Sequence, residues 1–86
     1  MNVKIPEDVM WRDLGDEVVI LNLASGVYFA LSGTGRRFWE LLAEGVAGDE
    51  LVQRMTAEYE VDAAELKSDL DALVNDLAAE GLISRD

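Results

Sequence analysis

Leu31-Ser32-Gly33-Thr34-Gly35 is the stretch whose residue types come nearest to a reactive site. Glycines and hydroxyls between an apolar strand and a helical pattern suit a phosphate cradle, because backbone amides at a helix start attract anions. The dinucleotide pattern, however, needs a third glycine where Phe38 stands, together with a second parallel strand. No glycine-lysine-serine run follows either. The stretch reads as a strand-to-helix corner.

Carboxylates are the other chemical resource, with 18 Asp and Glu against 7 Lys and Arg and a net charge of −11. Asp62, Glu65, Asp69, Asp71, Asp76 and Glu80 fall on one helical segment, and no loop has calcium-binding spacing, so they read as a solvated face. Ser25, Ser32, Ser68 and Ser84 have no histidine to activate them. The chain contains neither His nor Cys, which removes an imidazole base, a thiol nucleophile, disulfides and the common zinc sites. The expectation is a protein that is not an enzyme, with no catalytic residue, metal or cofactor. The excess of acid also opposes binding to phosphate backbones, which depends on Lys and Arg.

A chain of 86 residues makes one domain, 1–86, with one core. Half of its residues are hydrophobic, which argues against disorder despite the charge. Met1-Asn2-Val3-Lys4-Ile5-Pro6 has no signal-peptide pattern, and no run approaches the roughly 20 apolar residues of a membrane span. A soluble, cytoplasmic protein is expected.

Three strands and three helices must position whatever site exists. Strands are expected at about 9–14, 17–23 and 27–31, joined by Gly15-Asp16 and Ala24-Ser25-Gly26, turns in which glycine adopts left-handed geometry without steric cost. Helices are expected at about 33–45, 48–59 and 62–80. Ser32 is placed to cap the first. Phe38, Leu41 and Leu42 share its core face, with Trp39 flanking them over one end of the core. Asp49 and Glu50 suit the positive end of the second helix, whose apolar face is Leu51, Val52, Met55 and Tyr59. Asp62 and Glu65 resemble a capping box for the third. Its apolar stripe is Leu66, Leu70, Leu73, Val74 and Leu77, Gly81 stops it, and Leu82 and Ile83 fold back as an apolar clasp. The fold class is α+β, a three-stranded antiparallel meander followed by three helices, resembling a winged helix-turn-helix.

Val27-Tyr28-Phe29-Ala30-Leu31 is a meander edge with neither charge nor proline, the usual guards against stray pairing. Phe29 and Leu31 are assigned to the core side, and Tyr28 and Ala30 to the other. A helix beside this edge would make a groove with a leucine floor and a rim of Glu65, Asp69 and Asp76. An extended peptide could add a strand there.

The pattern Val18-Val19-Ile20-Leu21-Asn22-Leu23, Gly26-Val27-Tyr28-Phe29-Ala30-Leu31, Thr34-Gly35, Phe38-Trp39-Glu40-Leu41-Leu42 and Gly45 resembles the PqqD-like proteins. Tyr59, Val61, Leu66, Asp69-Leu70, Leu77 and Gly81-Leu82-Ile83 continue the likeness, which spans roughly Val9 to Ile83. The resemblance implies a recognition element for ribosomally made, post-translationally modified peptides. Such an element binds the leader of a precursor peptide antiparallel to the third strand, in the cleft beside the third helix. By position, it implies a peptide site at Val27, Tyr28, Phe29, Ala30, Leu31, Leu66, Asp69, Leu70, Leu73 and Asp76. Asn22 stands where many members have Asp, and Ser32 where many have Asn.

Thr34-Gly35, Phe38-Trp39 and Leu41-Leu42 look most like the free-standing lasso-peptide members. This implies presentation of the leader to a separate transglutaminase-like protease, with a cyclase completing the ring. Two alternatives stay open: a PqqD-type peptide chaperone for a radical-SAM enzyme, and, against the charge, a winged-helix DNA-binding regulator. The expected state is a monomer or a weak edge-strand dimer.

Overall fold

Two glycine turns and an apolar helix pair account for most of the architecture. The computed structural model describes residues 3–85, so Met1, Asn2 and Asp86 of the expected domain 1–86 lie outside the described residues. The chain runs β1 (Val3–Lys4), β2 (Val9–Asp13), β3 (Glu17–Asn22), β4 (Tyr28–Ser32), α1 (Gly33–Ala43), α2 (Gly48–Tyr59), α3 (Ala63–Ala79) and β5 (Ser84–Arg85). Gly15 at φ +99° and Gly26 at φ +79° close the turns that fold β2, β3 and β4 into an antiparallel meander in that order. The α+β arrangement of a three-stranded sheet followed by three helices is the one expected.

Register decides which face is core. Ile20 lies opposite Trp11 on β2 and Phe29 on β4, and Val18 lies opposite Leu31. These inward rows meet Phe38, Trp39 and Leu41 of α1, Leu51 and Met55 of α2, and Leu66, Leu70, Val74 and Leu77 of α3. No polar or charged side chain is buried among the described residues. The core is held by apolar burial alone, at roughly 25 cal/mol per Å² removed from water.

Trp39 differs from expectation. It does not flank the core but sits inside it, fully buried, with Trp11 packed edge-to-face at 5.7 Å between ring centroids and 74° between planes. The reason is that α1 touches the sheet as well as α2 and α3, so its apolar arc is wider than that of a surface helix. The cost is a buried Trp39 Nε1 with no hydrogen-bond partner.

The helix ends are mostly closed as their sequences direct. The Asp62 carboxylate accepts from the amides of Ala64 at 2.8 Å and Glu65 at 3.1 Å. Gly81, at φ +72°, donates to the Ala78 carbonyl while Leu82 N donates to Leu77 O at 2.9 Å. Leu82 and Ile83 then turn into the core. Ser32 holds the N-cap position of α1, but its hydroxyl makes no capping bond, with Gly33 at φ +57° taking the chain out of regular N-terminal geometry. A pairing that the sequence did not announce joins the two ends: β1 runs antiparallel to β5, Val3 opposite Arg85 and Lys4 opposite Ser84.

Two arginines tie α1 to its neighbours. Arg36 forks onto Asp13 at the end of β2, with Nε at 3.1 Å and Nη2 at 3.0 Å. Arg37 pairs with Glu58 of α2 at 2.7 and 2.9 Å. The Gly15 amide, with Glu40 and Arg36, holds the Asp13 carboxyl below the usual carboxylate range, and Arg37 does the same for Glu58.

Truncating Trp39→Ala should lower the unfolding free energy in urea by about 3–5 kcal/mol, the usual cost of emptying a buried aromatic site. For Glu58 the lowered folded pKa gives stability that is present above its unfolded value and lost as pH falls through the folded one. Arg37→Met should therefore depress the urea midpoint at pH 7. The gap to wild type should narrow below about pH 4; a gap that stays constant on acidification would show that the pair does not act through Glu58.

Candidate functional site

β4 has a hydrogen-bonded partner on one side only. Asn22 N donates to Val27 O at 2.9 Å, while Leu23 N turns the other way to Asp8 O at 2.8 Å. Antiparallel alternation then directs the backbone groups of Phe29 and Leu31 towards β3, and those of Tyr28 and Ala30 out of the sheet. The opposite edge strand, β2, carries Arg12 and Asp13, whereas β4 carries no charge. Val27, expected to open this strand, belongs to the turn instead: its amide donates to Ser25 Oγ at 3.2 Å.

Side chains divide between the two faces as the alternation predicts. Phe29 is half-buried and Leu31 buried on the inner face, while Tyr28, 67% exposed, and Ala30 lie outside. On the inner side α3 approaches this part of the sheet at two points. At one end Leu31 and Leu73 both approach Gly35, each with a carbon 3.7 Å from where a Cβ on Gly35 would stand. At the other end Asn22 Nδ2 donates to Gly81 O at 2.9 Å. From Leu31 back to Val27 is about 13 Å of chain, and from Leu73 to the end of α3 at Ala79 about 9 Å of helix. Strand and helix run in opposite directions.

Helical spacing sorts the residues of the α3 wall. Leu73 is half-buried and packs against the core margin. Asp69 and Asp76, four before and three after it, share its face and are exposed, forming the acidic rim. Leu66 and Leu70 are 4% and 2% exposed. They back the wall from the core and offer no surface to a ligand.

Asn22 joins the walls. Its Oδ1 accepts from the amides of Ala24 at 2.9 Å and Ser25 at 3.2 Å, closing the turn that leads into β4. Those two donors fix the amide's orientation, leaving Nδ2 to reach the end of α3. Local sequence patterns do not reveal this link, because the partner of Asn22 lies 59 positions away.

Concave regions also occur elsewhere. The outer sheet face, lined by Met10, Arg12, Leu14, Val19 and Leu21, holds a shallow depression of about 590 Å³. A second, of about 520 Å³, lies between Val3–Glu7 and the α1–α2 connection. Neither gathers a nucleophile with a base, and no group of three or more metal-ligating side chains occurs among the described residues. None of the helices described is long and apolar enough to cross a membrane.

Comparison with known proteins points to one family. The family model described as coenzyme PQQ synthesis protein D (PqqD) matches residues 17–83. A solved structure of TbiB1 in complex with the TbiA(beta) leader peptide is 40% identical, with 94% of each chain covered and a TM-score of 0.89. A lasso peptide synthetase B1 complexed with its leader peptide is 25% identical, with 98% of this chain and 99% of that one covered and a TM-score of 0.83. Among curated proteins no sequence matches.

The clamp at Asn22 yields a stability test. Asn22→Asp removes the donor to Gly81 O and sets a carboxylate at the negative end of α3, which should cost about 1–2 kcal/mol in urea unfolding. Gly81→Ala should cost a similar amount, since its Cβ would stand 2.9 Å from Asn22 Nδ2 at a φ of +72° that favours glycine.

Proposed function

The chain belongs to the PqqD family, and on that premise we propose that it is a non-catalytic binding module for the leader segment of a ribosomally made precursor peptide in lasso peptide biosynthesis. The observation that carries this reading is the unpaired, uncharged edge of β4 lying beside the α3 wall. An extended leader adds to β4 as a fourth, antiparallel strand and exchanges main-chain bonds with Tyr28 and Ala30. Its inward side chains meet Phe29, Leu31 and Leu73. Asp69 and Asp76 receive its basic groups at the rim. Leu66 and Leu70 hold the wall in place from behind.

Main-chain bonds are nearly indifferent to sequence and contribute about 0.5–1.5 kcal/mol each. Discrimination between leaders therefore falls to the helix side of the groove. The bound precursor is handed to a processing enzyme, a transglutaminase-like leader protease, with a cyclase acting later. Both solved relatives named above hold leader peptides, and one is a lasso peptide synthetase component, which favours this reading over service to a radical-SAM enzyme. DNA binding finds no support, because α3, the would-be recognition helix, carries Lys67 as its single base among acids.

Titration with the synthetic leader of a precursor encoded beside this chain should give saturable, one-to-one binding. Ala30→Pro should weaken it at least tenfold with an unchanged far-ultraviolet spectrum, because the lost amide faces out of the sheet. Saturable binding to no neighbouring precursor would sink the proposal. Sedimentation with and without peptide separates it from pairing of β4 with its own copy.

A further inference from the structure

Among the described residues one polar link joins the meander to α3 and the turn that ends it, the bond from Asn22 Nδ2 to Gly81 O. The other fastenings of this helix are apolar: Leu66, Leu70, Val74 and Leu77 lie in the core, and Leu82 is buried just beyond its end. Apolar burial is non-directional, whereas a hydrogen bond weakens steeply once its angle is lost. The carboxamide therefore sets where the end of α3 stands relative to the turn between β3 and β4. The turn itself needs only the oxygen, which accepts from Ala24 N and Ser25 N, and a carboxylate could accept the same two bonds. The nitrogen serves something beyond the turn. Gly81 is matched to it, since a Cβ at that residue would stand 2.9 Å from Nδ2.

Asn22 N donates to Val27 O, so the link lies at the end of the meander where β4 begins. β4 runs from Tyr28 to Ser32, and a leader antiparallel to it passes Ser32 first and Tyr28 last. We propose that Asn22 is a positioning residue for the C-terminal part of the bound leader, the part that leads on into the rest of the precursor. The inference rests on the leader-binding reading above. Asn22 acts through Gly81: it keeps the last turn of α3, with Asp76 as the rim carboxylate nearer to it, within reach of the leader residues that pass Tyr28. Without the donor that turn is released from the sheet, and the final leader residues lose their contacts with the helix. Residues opposite Ala30 and Ser32 keep theirs. The loss falls on dissociation, because these contacts form after encounter.

The test is binding kinetics of wild-type and Asn22→Asp protein with the synthetic leader of a precursor encoded beside this chain, and with the same leader shortened stepwise from its C-terminal end. Circular dichroism fixes a temperature at which both proteins are fully folded. There Asn22→Asp should bind the full leader about fivefold to tenfold more weakly, through faster dissociation. As C-terminal leader residues are removed, the difference between the two proteins should shrink below about twofold while binding persists. Gly81→Ala, which displaces Nδ2 from the other side, should give the same pattern and carries the comparison alone if Asn22→Asp does not fold. Arg37→Met, which loosens α1 from α2 instead, should leave every affinity within about twofold. Equal affinities for the full leader, a loss that persists undiminished through truncation, or an equal loss in Arg37→Met would each overturn the positioning role. Wild-type binding is measured first, and absence of any leader binding there overturns the underlying reading instead.

Discussion

One carboxamide holds the two walls of the groove at a fixed separation. Asn22 closes the turn into β4 with its oxygen and reaches past the end of α3 with its nitrogen, so the turn and the helix end cannot drift apart without breaking the bond to Gly81 O. Everything proposed for the site depends on that spacing. A peptide strand lies about 4.8 Å from β4, and only a helix held at one distance can read its side chains. An Asp at this position would keep the turn but could not donate to the Gly81 carbonyl.

The rest of the molecule makes a rigid mount for the groove. The interior is apolar throughout, with Trp39 at its centre and Trp11 against it. Such a core gives little directional information, and the direction comes from outside it. Arg36 fixes α1 to the tip of β2, Arg37 fixes it to α2, and the β1–β5 pair gathers the two ends. An open strand edge is a hazard in an isolated protein. Here a net charge of −11 opposes the association of copies and offsets an edge without guards of its own.

Local rules were enough for the meander and the three helices. Glycine at both turns, Asp62 at the start of α3 and Gly81 at its end act on their immediate neighbours, and each could be read from a few residues. The open edge was legible for the same reason, since charge and proline are simply missing from 27–31. Contacts between distant segments were not. Trp39 was placed at the margin because helical periodicity shows one face, while three layers bury it. Leu66, Leu70 and Leu73 share one apolar stripe in the sequence, and the burial that separates the first two from Leu73 appears only in the fold. The Asn22–Gly81 bond exists only once the end of β3 and the end of α3 lie side by side.

The acidic rim has one more consequence. Lys67, the only base on α3, is engaged with Asp71 at 3.4 Å on the far shoulder of the helix, and no ion pair joins Asp69 or Asp76 to a cation among the described residues. Their field therefore extends into solvent over about 10 Å at 0.1 M ionic strength. For a basic leader bound as proposed, that field would act before contact and raise the frequency of encounter, so that selection would begin in the kinetics of approach, most of all at low salt.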